Sequence, residues 1–185
     1  MTNNSMLHLL FRHMEWADAR VWTSVLSTPA AQNDSILRDR LFHIHVVQWG
    51  FLHLWLDRPL PEFPDPSKFP DLAALVSWGR QAHEQIAGYT VQAEEASLER
   101  IITLPFAEYF EKQFGKAAAS ITLSQTMLQV TSHSSHHRGQ VNTRLRELGA
   151  EPPLVDLIVW SWIGTPAANW PSISGDATAV AEGRS

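Results

Sequence analysis

The chain reads as all-α: a bundle of four long amphipathic helices with a short extra helix near the C-terminus. Three observations lead there. Apolar residues recur at three- and four-residue steps over four long stretches, the spacing that lines up one face of a helix. The prolines fall between those stretches and not inside them. No internal repeat and no alternation of strands with helices is visible. At 185 residues the chain has the length for one domain, expected over residues 1–170, with a small polar tail at 171–185 expected to be disordered.

The first helix is expected from about Ser5 to Ser27, where Leu7, Leu10, Phe11, Met14, Ala17, Val21 and Val25 form the stripe. Asn33-Asp34-Ser35 offers N-caps for a second, running to about Leu56. Between Arg58 and Pro70, five prolines in thirteen residues exclude a helix, because proline removes a backbone donor and clashes with the preceding turn. Asp71 caps a third helix to about Gln92. From Leu98 to Gly115 the pattern is ambiguous, and Ile101-Ile-Thr-Leu-Pro-Phe suits a short strand or an extended connection. Thr122 caps the fourth helix, which ends at Leu148 with Gly149 placed as a left-handed terminator. Pro152-Pro153 then redirects the chain, and Asp156 to Trp162 fits a short fifth helix.

Composition excludes several classes of function. Net charge is −5, from 14 Lys+Arg against 19 Asp+Glu, and no basic run offers a footprint for nucleic acid. No stretch approaches the roughly 20 apolar residues that span a bilayer. The N-terminus lacks the basic and apolar regions of a signal peptide, so a cytoplasmic location is expected. There is no cysteine, which removes disulfides, thiolate ligands and a cysteine nucleophile together. Any metal must be held by nitrogen and oxygen.

The nine histidines are the informative residues. His133, His136 and His137 crowd one turn of the fourth helix. Positions i and i+4 stack, so His133 and His137 form a clamp, expected to face the bundle interior with Leu123, Met127, Val130 and Val141. His136 is offset toward the rim. A lone histidine in an apolar stripe is more often a core residue with one hydrogen bond than a ligand, so the pair needs a partner. On the second helix His43 and His45 both sit in apolar stripes, and periodicity does not choose between them. His53 can meet the helix dipole, while His8 and His83 read as surface or edge residues. Three neutral nitrogens would leave a divalent ion its charge and its open positions, the pattern of a catalytic site. Zinc and nickel fit such a site foremost, and iron and manganese are compatible.

His133-Ser-Ser-His136-His137-Arg138-Gly139-Gln140 resembles the C-terminal signature of the DinB/YfiT-like superfamily. Trp16-Ala17-Asp18, the pair His43 and Gln48, and Leu148-Gly-Ala-Glu-Pro-Pro-Leu-Val-Asp156 agree with its other elements. Asp18 stands where the family usually has Asn, and Ser132 precedes His133 where Asn is common. The resemblance implies an up-down-down-up four-helix bundle, often a homodimer, with His43, His133 and His137 holding a divalent metal. Characterised relatives include transferases and isomerases that use low-molecular-weight thiols.

The leading expectation is a metalloenzyme acting on a small molecule, a hydrolase or a thiol-dependent transferase. Gln48, His45, His136 and Arg138 are the candidates for orienting substrate or shuttling protons; for Arg138, a solvated salt-bridge residue is the plainer reading. A non-catalytic, stress-linked metal-binding module and a structural dimeric bundle are the alternatives.

Overall fold

The computed structural model describes residues 3–172, so the expected tail lies, beyond Ser172, outside the described residues. The regular structure of the described chain is helical apart from one pair of two-residue strands. Its long helices are α1 (Asn3–Ser27), α2 (Ser35–Trp55), α3 (Leu72–Gln92) and α5 (Leu123–Glu147), with short α4 (Ala107–Phe114) and α6 (Leu157–Trp162).

Side chains start three of the long helices where the sequence places their caps. Asp34 accepts from Leu37 N at 2.7 Å and Asp71 from Ala74 N at 2.7 Å. Thr122 and Gln125 form a reciprocal capping box at the head of α5. Gly149 closes α5 at φ +81, a conformation that costs other residues more than glycine.

The ambiguous stretch resolves into three pieces. Ile101–Ile102 (β1) pairs antiparallel with Ile121–Thr122 (β2), and α4 lies in the excursion between them. Helix α4 is only two turns long and leaves Tyr109, Phe110 and Phe114 exposed. Too short for periodicity to separate it from a loop, it went unforeseen.

Helix α5 packs against both α1 and α2, and α3 packs against the same two helices. Their apolar faces make two core clusters. One gathers Phe11, Met14, Phe51, Trp55, Met127 and Val130; the other gathers Trp22, Leu37, Leu41, Ile44, Val141 and Leu145. Burying each of these side chains contributes on the order of 1.5–3 kcal/mol. Between the clusters runs a buried polar layer to which every long helix contributes: Asp18, His45, Gln48, His83, Ser134 and Arg138. No described helix is long and apolar enough to cross a membrane.

Candidate metal centre

His43, on α2, meets His133 and His137, on α5. One ligand-type nitrogen from each lies within 4.8 Å of the other two. His43 Nε2 and His133 Nε2 are 3.2 Å apart, although 90 positions separate them in the chain. Two nitrogens each about 2.0–2.1 Å from one tetrahedral ion would lie about 3.3 Å apart, so the spacing suits a shared cation. His43 is exposed and the other two are half-buried, which leaves one side of the cluster open.

The tautomer of His137 is set by its neighbours. Gln140 Oε1 lies 2.8 Å from His137 Nδ1, and a carboxamide oxygen can only accept, so Nδ1 carries the proton. The Nε2 lone pair of His137 is thereby left for the cluster. Gln140 is itself oriented, because its Nε2 donates to His136 Nε2 at 3.2 Å. His136 thus acts on His137 through Gln140. Sequence reasoning gave Gln140 no role, although its position three residues after His137 on the same face was a usable signal.

Burial favours the neutral form of His43 and His133. Desolvation, followed by the neighbouring His137, lowers the pKa of His43 and brings that of His133 down to about 4. His133 Nδ1 is buried without a hydrogen-bond partner. Converging imidazoles, none of them paired with a carboxylate among the described residues, present lone pairs that a cation satisfies better than they satisfy one another.

The helix face differs from the expected one. The interior stripe of α5 passes through Val130, Ser134, Arg138 and Val141, whereas His133 and His137 stand on its flank toward α2. Arg138 takes the interior position because Asp18 waits there: Nη1 donates to Asp18 Oδ1 at 2.8 Å, with both side chains nearly sealed from solvent. A buried guanidinium needs such a partner. His83 is likewise buried and not at the surface, held at 2.8 Å from Asp18 Oδ2.

His45 and Gln48 belong to the same interior network and do not hydrogen-bond to the three-histidine cluster. The Trp22 indole N–H donates to His45 Nε2 at 2.8 Å, so Nδ1 carries the proton and donates to Gln48 Oε1 at 2.8 Å. Gln48 Nε2 then donates to Asp18 Oδ2 and Ser134 Oγ. Asp18, His45 and His83 also offer ligand atoms within 4.8 Å of one another. The His45 lone pair and both Asp18 oxygens are already engaged, and Arg138 supplies the positive charge a cation would bring. That second group is a closed hydrogen-bond network; the open one is on the α2–α5 flank.

Fold and site together define an all-α protein carrying an open cluster of three histidines. The DinB family model matches residues 1–166, and the chain belongs to the DinB family. Comparison with curated proteins gives no match.

Proposed function

We propose that this is a divalent-metal protein of the up-down-down-up bundle type in which His43, His133 and His137 hold the ion. The observation that carries the reading is the convergence of three imidazoles on an open flank, with the His137 tautomer fixed by Gln140. A bound ion would supply a Lewis acid there, with zinc or nickel the first candidates. The protein's own part is to hold the ligands. Gln140 and His136 orient His137, burial withholds protons from His133, and the exposed edge at His43 admits a small molecule.

The reading extends to an enzyme that attacks a small electrophile with water or a low-molecular-weight thiol. The chain has no cysteine, so a thiol nucleophile would come from solution. The test is turnover by zinc- or nickel-loaded protein with a small thiol and an electrophile. Activity lost in His133→Ala supports the reading; activity retained in that variant, or stoichiometric metal without turnover, contradicts catalysis. Exposed Leu154, Ile158 and Trp162 offer apolar surface for the homodimer that family membership suggests, and sedimentation tests it.

A further inference from the structure

Helix α5 carries a second site on the flank facing away from His133 and His137. At about 100° per residue, Ser135, Gly139 and Asn142 lie close to half a turn from the two histidines, on the side of α1. There a cavity of ≈ 720 Å³ opens between α1, α5 and the segment Pro153–Leu157. That volume is in the range of small-molecule sites. One wall is pinned by His13, whose Nε2 lies 2.8 Å from Val155 O.

The polar groups of the cavity are incompletely used. Arg138 lines it and is 4% exposed, yet its one hydrogen bond among the described residues is the Nη1 contact to Asp18. Among the described residues Nε and Nη2 have no acceptor, although a guanidinium carries five donors in a planar fork. Four residues along, on the same face, Asn142 also lines the cavity, although its Oδ1 is itself sealed from solvent. Four further, Arg146 adds an exposed positive charge at the rim, opposed there by the single carboxylate of Asp156. Leu10, Met14 and Leu128 supply apolar wall.

The geometry points to a binding site for a small organic carboxylate with an apolar side chain, as in an N-acylated amino acid. The free edge of Arg138 takes the carboxylate, and the leucine and methionine side chains cover the apolar group. A carboxylate matches a guanidinium edge in two parallel hydrogen bonds. Between these groups and the three-histidine cluster lies the width of α5, so the site stands whether or not the cluster binds metal.

The test is a titration of the full chain with N-acetyl-leucine, followed through the Arg138 Nε–H resonance. N-acetyl-leucine amide, equal in shape and uncharged, is the control. The expected result is a saturable shift with the acid and binding about tenfold weaker with the amide, the loss of one charge-assisted contact. Arg138→Gln risks the fold through Asp18, so the deciding variant is Gly139→Leu. A Cβ at Gly139 meets nothing within 4 Å, so the leucine enters open space at the cavity and should abolish the shift. No saturable shift, an equal response to the amide, or an undiminished response in Gly139→Leu would overturn the proposal. A change in oligomeric state in that variant would overturn it too, by making this flank an interface between copies.

Discussion

His43 Nε2 and His133 Nε2 face each other at 3.2 Å across the α2–α5 contact, with no carboxylate partner for either ring. In metal-free protein one of these nitrogens can donate to the other, whereas His133 Nδ1 is buried and unpaired whether or not an ion sits on Nε2. An unsatisfied buried polar atom costs about 1–3 kcal/mol. A cation that takes the converging lone pairs gives the cluster a reason to persist.

Gln140 should control metal affinity without touching the ion. Gln140→Leu removes the acceptor for His137 Nδ1–H and frees the ring to rotate or change tautomer. Losing such an outer partner weakens metal binding by about 10–100-fold. Competition with a chromophoric chelator measures it, and Gln140→Glu, which keeps an acceptor oxygen, should retain most of the affinity. Equal affinity in Gln140→Leu and the parent chain would remove Gln140 from the account.

Asp18 should be a stability residue. Asp18→Ala leaves Arg138 as a buried cation without its partner and strips an acceptor from His83 and Gln48. Breaking a buried pair from one side costs about 3–5 kcal/mol. Urea denaturation reads this directly; a loss below about 1 kcal/mol would mean that water enters the layer freely.

Gly79 should not tolerate a side chain. A Cβ there would come within 2.4 Å of His45 Nε2, and the His45 ring is sealed and bonded at both nitrogens, so it has nowhere to go. Gly79→Ala should cost about 1–3 kcal/mol, against the usual gain for Gly→Ala inside a helix. A stabilised variant in thermal unfolding would show that the ring can move.

Stability should fall on acidification in two stages. Burial is the main cause that brings the His45 pKa from 6.5 down to about 4. Between those values the unfolded chain binds the extra proton, so metal-free protein loses stability as pH drops through that window; His133 adds to the same slope. Burial alone would raise the Asp18 carboxyl, but Arg138 and then His83 outweigh it and hold it well below the usual carboxylate range. Its contribution is present above the ordinary carboxylate pKa and is lost as pH falls through the lower folded value. Urea midpoints that stayed flat from pH 7 to 4.5 would contradict the neutral, buried assignment of His45.

The long helices were legible because each carries a stripe longer than chance allows and a cap with its own chemistry, as at Asp71 and Thr122. Helix α4 was not, because two turns with exposed aromatics look like a loop. The His133–His137 clamp could be read from spacing alone. His43 and His45 could not be told apart on α2, because what separates them lies elsewhere. Trp22 on α1 gives His45 a donor, and Gly79 on α3 gives it room. Residue type alone reads Arg138 as a solvated salt-bridge group or a substrate-orienting one, and His83 as a surface or edge residue. Their shared partner Asp18 is 120 positions from Arg138, and no local pattern announces so distant a contact.

The most direct measurement is the metal content of protein purified without an affinity tag and reconstituted with zinc or nickel. One divalent ion per chain is expected, and none bound in His137→Ala, whose fold can be checked by circular dichroism. Metal content near zero in the parent chain, or content unchanged in His137→Ala, would contradict it.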